Sequence, residues 1–287
     1  MYAEFDLTIP ADLPEALTAL AAAGTRAVPL SGGTNVLVDI RSQRIAPDRL
    51  LDLGRVHQLR EITVDRGRVT LGARTTVGDL LASGEVTRYA PALTEAARVF
   101  AGQMVRNAAT VAGNVACGSP AADLVPPLLV LDAELTLSSV RGSRTLALCD
   151  FYTGYKSDQR APDELITAIS WPIPATGSFG SFYKLARRKG DAITVVGVAV
   201  SLALGGGCCG GVRIALGSVA PTPLRVSKAE AVLEGQPPTP ERIAEAARAA
   251  AEECSPIDDV RATGAYRRHM VGVLVARLLT NAIQAGN

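Results

Sequence analysis

The segment Phe100–Leu131 constrains the fold of this chain more than any other stretch. It reads FAGQMVRNAATVAGNVACGSPAADLVPPLLVL and shows no clean repeat of about 2 or about 3.6 residues. Its glycines and small residues let a backbone approach another group closely, which is typical of a segment folded against a ligand rather than against itself. It ends in the apolar run AADLVPPLLVL, which would anchor it to a rigid core. We therefore interpret this segment as the floor of a cofactor site.

A second candidate loop lies nearer the N-terminus, where the strand pattern RAVPL runs into Ser31-Gly32-Gly33-Thr34-Asn35. Glycine permits a left-handed turn, in which consecutive backbone N–H groups can converge on an anion. The pattern predicts either a pyrophosphate cradle or an ordinary turn between a strand and a helix. Thr110–Asn114 and Ser119–Asp123 in the central segment add hydroxyl, amide and carboxylate groups. Together the loops are suited to clamp the two ends of one dinucleotide.

A third glycine-rich stretch, Gly205–Gly210, matches the spacing G-x-G-x-x-G that many dinucleotide-binding proteins use. That fingerprint requires a helix to follow it, so that the helix N-terminus reaches the phosphates. The following residues, GVRIALGSV, are instead rich in strand formers. We therefore expect a hairpin turn here.

Local signals predict the ends of several elements. Asp12 is placed to cap the first helix, and Thr76-Val77-Gly78-Asp79 resembles a capping box. The segment ITVDRGRVTLGAR predicts a hairpin that turns at Asp65-Arg66-Gly67. Gly154–Asp158 is expected to be a polar loop. Further helices are predicted near residues 225–233, 239–252 and 264–284, and a domain boundary near 174–178.

Charge and cysteine content exclude several classes of protein. A net charge of +1 over 287 residues gives no general attraction to nucleic acid or anionic membranes, and no window holds the roughly 18 apolar residues of a membrane span. A helix pattern begins early and no basic segment precedes it, so we expect no signal peptide. Five scattered cysteines argue against a disulfide framework and suit a reducing cytoplasm.

Acid–base catalytic motifs are mostly absent. The two histidines, His57 and His269, lie in no recognisable motif, and we interpret both as structural or solvent-exposed. No Ser-His-Asp arrangement, H-E-x-x-H or Walker loop occurs. A chain with a cofactor cradle but little acid–base equipment would work through its cofactor, which favours electron transfer.

Four motifs in order resemble one family. They are SGGTNVLVDI, AGQMVRNAATVAGNVACGSPAADLVPPLLVLDAEL, GYKSDQRAPDELITAISWP and FYKLARRKGDAITVV. Together they resemble the FAD-binding medium subunit of the molybdenum hydroxylases, the family of carbon monoxide dehydrogenase, xanthine dehydrogenase and the bacterial N-heterocycle hydroxylases. The resemblance covers essentially the whole chain.

The resemblance implies an α+β fold in two domains. Residues 1–175 would form a flavin-binding domain of the vanillyl-alcohol-oxidase (PCMH) type, with subdomains of about 1–55 and 56–175. Residues 176–287 would form an α+β C-terminal domain with a three-stranded sheet and a helical bundle.

The resemblance also implies which residues hold FAD. The first glycine loop would bind the pyrophosphate through its amides, Asp123 would bind a ribose, and Lys184 would lie near the flavin. One departure is Ala112, where the family's usual Thr-x-Gly-Gly-Asn has its first glycine; a left-handed backbone there would make the methyl group cost about 1 kcal/mol and lower FAD affinity. The implied positions are Leu30, Ser31, Gly32, Gly33, Thr34, Asn35, Val36, Phe100, Ala109, Thr110, Gly113, Asn114, Ser119, Asp123, Leu165, Ile166 and Lys184.

The function that the resemblance implies is an electron relay. A large subunit would hydroxylate substrate at a molybdopterin centre, a small subunit would pass electrons through two [2Fe–2S] clusters, and this chain's FAD would deliver them to an external acceptor. No catalytic residue beyond the flavin and no metal site are expected on this chain, which would lie in the cytoplasm in a dimer of heterotrimers. Two alternatives stay open: a stand-alone flavin-dependent oxidoreductase, and a non-catalytic assembly protein with a degenerate cradle. Neither the hydroxylated substrate nor the acceptor follows from the sequence.

Overall fold

The computed structural model describes residues 4–286, so residues 1–3 and 287 of the expected domains lie outside the described residues. The first part is a small parallel sheet in the order β1-β3-β2, with one helix packed on it. Parallel strands need a crossover between them, which the first helix provides. Its elements are β1 (Asp6–Thr8), α1 (Leu13–Ala23), β2 (Ala27–Leu30), α2 (Val36–Arg41) and β3 (Arg49–Asp52).

The second part is a five-stranded antiparallel sheet covered by short helices. Its strands run in the order β4-β5-β10-β6-β7, and a separate two-stranded hairpin, β8–β9, stands beside it. The strands are β4 (Ile62–Asp65), β5 (Arg68–Gly72), β6 (Glu134–Ser139), β7 (Gly142–Ala147), β8 (Tyr152–Gly154), β9 (Ser157–Asp158) and β10 (Leu165–Pro172). The helices are α3 (Val77–Ala82), α4 (Gly84–Tyr89), α5 (Pro91–Arg98), α6 (Gln103–Ala108), α7 (Val111–Ala116) and α8 (Val125–Val130).

The third part is an antiparallel sheet of three long strands and a two-residue edge strand, backed by three helices. This confirms the expected α+β fold. The elements are β11 (Ser178–Ala186), β12 (Thr194–Gly205), β13 (Cys208–Gly217), β14 (Leu224–Arg225), α9 (Ser227–Leu233), α10 (Pro240–Glu253) and α11 (Gly264–Gly286).

Most of the caps and turns predicted from local sequence signals are present. The Asp12 side chain accepts a hydrogen bond from the Glu15 amide at 2.9 Å, and both bonds of the Thr76–Asp79 capping box are present. Gly205–Gly210 does form a hairpin turn, because β12 and β13 pair directly across it. The expected polar loop at Gly154–Asp158 is instead the tip of the β8–β9 hairpin, where the two strands pair with a bulge.

The central segment is more regular than its composition indicated. It contains α6, α7 and α8, each six residues long, separated by turns. A helix of six residues is less than two turns, so no repeat of about 3.6 residues can accumulate along it. The hydrophobic packing expected of the final run is present, because Val125–Val130 is buried throughout.

One buried arginine fixes the C-terminal helix to the sheet beneath it. Arg267 donates from Nη1 to the carbonyl oxygens of Val195 (3.0 Å) and Ser218 (2.9 Å), and its Nη2 lies 2.6 Å from Asp259 Oδ1. Burial alone would raise the pKa of the Asp259 carboxyl, but the Arg261 amide and the Arg267 and Arg261 guanidinium groups lower it to about 2. This carboxylate therefore stabilises the fold as an anion.

We expect Asp259→Asn to lower the free energy of unfolding at pH 7 by about 2 kcal/mol, because it leaves the Arg267 charge buried without its partner. The folded pKa lies below the ordinary value of 3.8, so the stabilisation is complete above pH 3.8 and is lost as the pH falls toward about 2. Urea unfolding at pH values from 7 to 3 should show a smaller difference in the free energy of unfolding between wild type and variant as the pH falls. As a control, Asp6→Asn removes the exposed pair with Arg49 and should change stability by less than about 0.5 kcal/mol.

Candidate functional site

A cleft of about 420 Å³ lies where the small parallel sheet meets the second part of the chain. One wall is the glycine loop that follows β2, and the opposite wall is formed by α7, by the start of β10 and by the β8–β9 hairpin. The lining residues are Val28, Pro29, Ser31, Gly32, Gly33, Thr34, Asn35, Val36, Asp39, Ile45, Leu53, Ala73, Arg74, Thr110, Ala112, Gly113, Ala116, Cys117, Lys156, Arg160, Leu165 and Ile166.

The two glycines of the first loop are required for different reasons. A Cβ atom on Gly32 would lie 1.9 Å from the Ala108 carbonyl oxygen, so only glycine allows the two backbones to come this close. Gly33 has φ +69°, a left-handed conformation that disfavours other residues. Gly32 therefore lets the two walls of the cleft meet at one end. Gly33 turns the loop away from β2 toward α2.

The opposite wall begins at Thr110, which caps α7. Its Oγ1 accepts a hydrogen bond from the Gly113 amide at 3.1 Å, and a Cβ on Gly113 would lie 2.8 Å from that oxygen. Asn114 uses its side-chain oxygen to accept from the Leu124 amide at 3.2 Å. Ala112 lies within α7 and has no left-handed backbone, so its methyl group carries no conformational strain.

The cleft brings together part of the predicted set. Ser31–Val36, Thr110, Gly113, Leu165 and Ile166 line it. The other predicted residues lie outside its lining and are Leu30, Phe100, Ala109, Asn114, Ser119, Asp123 and Lys184.

Several lining residues were not singled out from the sequence. Three of them, Arg74, Lys156 and Arg160, are cations. The buried carboxylate of Asp39 belongs to the same lining and lies 3.8 Å from Lys156 Nζ. Arg74 is the last residue of the segment predicted as a hairpin, and Lys156 lies in the polar segment after Gly154. Both were visible in the sequence as charged residues, but nothing in the sequence places them on one cavity.

A second polar cluster joins the central segment to the C-terminal sheet. The Asp123 side chain is buried, its Oδ2 lies 2.6 Å from Lys184 Nζ, and its Oδ1 accepts a hydrogen bond from the Thr194 hydroxyl. Lys184 also lies 3.5 Å from the Val99 carbonyl oxygen. Burial raises the pKa of the Asp123 carboxyl, and the Lys184 charge opposes that rise. Each Asp123 oxygen keeps further acceptor capacity beyond these bonds.

These residues fit a dinucleotide such as FAD. The close backbone approach at Gly32 leaves no side chain at that point of the cleft, and three cations in the lining favour a diphosphate. Apolar side chains such as Ile45, Leu53 and Leu165 suit a flat ring. Within residues 4–286 no group of three or more His, Cys, Asp or Glu side chains is arranged to hold a metal ion. In the same range no helix has the length and apolarity to cross a membrane.

The fold and the cleft are those expected of a class of proteins that bind a dinucleotide such as FAD. Residues 3–174 match the family model described as the FAD binding domain in molybdopterin dehydrogenase, and residues 181–282 match the CO dehydrogenase flavoprotein C-terminal domain. The chain belongs to this family, the FAD-binding medium subunits of the molybdenum hydroxylases.

Individual relatives agree with the family match. The chain is 33% identical to the carbon monoxide dehydrogenase medium chain of Hydrogenophaga pseudoflava over 97% of its own length and 96% of the relative's. It is 30% identical to the xanthine dehydrogenase FAD-binding subunit of Escherichia coli O157:H7, covering 89% of this chain and 88% of that one. Among solved structures, carbon monoxide dehydrogenase from Hydrogenophaga pseudoflava matches with a TM-score of 0.96 at 34% identity, covering 100% of this chain and 99% of that one. Quinoline 2-oxidoreductase from Pseudomonas putida 86 matches with a TM-score of 0.93 at 28% identity, with the same coverage.

We expect Gly32→Ala to lower the free energy of unfolding by about 2 kcal/mol, because the added methyl group overlaps a backbone carbonyl that can move only with the wall of the cleft. Chemical denaturation of the full chain measures the change. Gly205→Ala is the matched control, since a Cβ there meets nothing within 4 Å and the residue has no left-handed backbone. Equal stability of the two variants would contradict the close approach at Gly32.

We expect Lys184→Met to destabilise the chain by about 3–5 kcal/mol, because it leaves the Asp123 carboxylate buried without a countercharge. Adding Asp123→Asn to this variant should restore part of the loss. A double-mutant cycle from urea unfolding midpoints measures the coupling between the two side chains. Additive effects would show that the pair does not act as a unit.

Proposed function

We propose that this chain holds FAD in the cleft between its two N-terminal subdomains and acts as the electron-transfer subunit of a molybdenum hydroxylase. It accepts electrons from the [2Fe–2S] clusters of a small subunit, after substrate is hydroxylated at the molybdopterin centre of a large subunit, and passes them to an external acceptor. The observation that carries the proposal is the convergence of the Gly32–Gly33 loop and the Thr110–Gly113 segment on one cleft.

The residues of the chain divide into three roles in this proposal. The backbone amides of the loop from Leu30 to Val36 hold the diphosphate, and Thr110 and Gly113 form the facing wall. Ala109, Asn114 and Ser119 lie behind that wall and support it. Leu165 and Ile166 supply apolar contact along the cleft, and Phe100 supplies it nearer to Lys184. Bound FAD would supply the capacity to take up and release electrons one or two at a time.

The Asp123–Lys184 pair has a separate role at the edge of the same site. The Lys184 ammonium is held at 2.6 Å from Asp123 in a buried setting, where charge is weakly screened. A fixed positive charge beside the ring stabilises negative charge on reduced flavin and so raises its reduction potential. Asp123 positions that charge and binds a ribose hydroxyl with its remaining acceptor capacity.

The domain division proposed for the chain is 1–175, with subdomains of about 1–55 and 56–175, followed by 176–287. Two separate hydrophobic clusters support the boundary: one is built mainly from residues 69–171 and the other from residues 195–282. Phe182, Ala199 and Ala215 pack into the first cluster from the C-terminal sheet, so the boundary is crossed by a packed interface.

The proposed assembly is a dimer of heterotrimers in the cytoplasm. Support for partner subunits comes from the relatives, which are named as a medium chain or an FAD-binding subunit. Support for a reducing compartment comes from the five cysteines, all of which are free thiols.

The experiment that tests this function is an anaerobic reduction. The isolated chain and the complex co-purified with it are each mixed with candidate substrates, and the flavin absorbance near about 450 nm is followed. We expect the chain alone to be yellow and to stay oxidised, and the complex to bleach with one substrate.

Two outcomes would contradict the proposal. Bleaching of the isolated chain by an organic substrate would make it a self-contained oxidoreductase. A colourless chain that cannot be reconstituted with FAD would exclude a flavin protein of either kind and favour an assembly role.

A further inference from the structure

The glycine loop Ser31–Asn35 offers backbone amides to a diphosphate but carries no full positive charge. A cation that pairs with the diphosphate must therefore come from another part of the cleft. Three cations line the cleft: Arg74, Lys156 and Arg160. A dinucleotide diphosphate carries two negative charges, and a charge-assisted hydrogen bond to phosphate is about twice as strong as a neutral one. Which of the three is free to make that bond can be decided from their contacts.

The two arginines are already engaged. Arg74 donates to the Val56 carbonyl oxygen at 3.2 Å. Arg160 makes two hydrogen bonds to Asp158, at 2.9 and 2.8 Å, and its guanidinium lies 5.9 Å from the centre of the Phe151 ring. Turning either arginine onto a ligand would break these contacts.

Lys156 is free by comparison. Within the described chain its ammonium makes no hydrogen bond, and its partner is Asp39 at 3.8 Å, beyond hydrogen-bond distance. Asp39 does not depend on it, because its carboxylate also accepts from Asn35 at 2.8 Å and from Arg44 at 3.2 Å. Releasing Lys156 from Asp39 therefore costs little.

The backbone around Lys156 holds its side chain over the cleft. Its amide donates to the Gly118 carbonyl oxygen at 3.2 Å, and a Cβ on Gly118 would lie 2.8 Å from the Lys156 Cα, so the hairpin tip sits directly on the turn after α7. Lys156 has φ +53°, a left-handed conformation that glycine would adopt at lower cost. A lysine stands at this position in spite of that cost.

We propose that Lys156 is the phosphate-binding cation of this cleft: it leaves Asp39 and pairs with the diphosphate of FAD, opposite the amides of Ser31–Asn35. This assignment rests on the proposed function. It adds a residue from the second subdomain to the diphosphate site. The diphosphate would then be bound by the glycine loop on one side and by Lys156 on the other.

The test is the dissociation constant of FAD for the full apo-chain, measured by flavin fluorescence at low and high salt. We expect Lys156→Gln and Lys156→Gly each to bind FAD on the order of 10-fold more weakly at low salt, with the difference narrowing near about 1 M salt as charges are screened. Lys156→Arg should stay within a few-fold of wild type because it keeps the charge. Lys228→Gln, an exposed lysine on α9, is the control and should bind as wild type does.

Lys156→Gly keeps the test independent of folding, since glycine suits the left-handed backbone and the thermal midpoint of the apo-chain should not fall. Wild-type affinity in Lys156→Gln would overturn the assignment and leave the proposed function intact. A loss of FAD affinity confined to Lys156→Gly would also overturn it, because it would point to the hairpin backbone. An equal loss of affinity in Lys156→Arg and Lys156→Gln would overturn it too, because it would point to side-chain shape rather than charge. A wild-type chain that binds no FAD would instead overturn the proposed function itself.

Discussion

The approach of Gly32 to the Ala108 carbonyl is the contact on which the rest of the site depends. It places the loop after β2 against the end of α6 in the central segment, at a distance that no side chain permits. Backbone hydrogen bonds hold the residues that follow. The Ala109 carbonyl oxygen accepts from the Val77 amide at 2.9 Å, and the Val111 amide donates to the Thr75 carbonyl oxygen at 2.9 Å. These bonds fix the position at which α7 begins. The wall formed by α7 therefore depends on the close approach of the glycine loop to Ala108.

The C-terminal sheet is joined to the central segment by a buried ion pair. Lys184 stands on β11, Thr194 opens β12, and both reach Asp123 in the central segment. A buried pair is costly to desolvate and stabilises only while both partners remain. The pairing therefore makes the position of the Lys184 side chain depend on how the C-terminal sheet packs against the central segment.

The sequence predicted the elements whose signals are local. The Asp12 cap, the Thr76 capping box, the hairpin at Gly205–Gly210 and the turn at Gly32–Gly33 each depend on a few neighbouring residues, and all formed. Binding of a pyrophosphate by the glycine loop stays a prediction. The three short helices of the central segment were not predictable from periodicity, since six residues carry less than two turns. Pairs such as Asp123–Lys184 and Asp39–Lys156 also lay out of reach, because the partners are far apart in the chain and only the fold brings them together. The overall domain plan came from resemblance to a family rather than from the pattern of residues.

The central claim is that two subdomains hold one FAD between them, and hydrogen exchange on the full chain with and without FAD tests it most directly. The account predicts that FAD slows exchange at the amides of the Ser31–Asn35 loop and of the Lys156 hairpin together, while exposed turns such as Gly206–Gly207 are unchanged. Protection confined to one subdomain, or appearing mainly elsewhere in the chain, would contradict it.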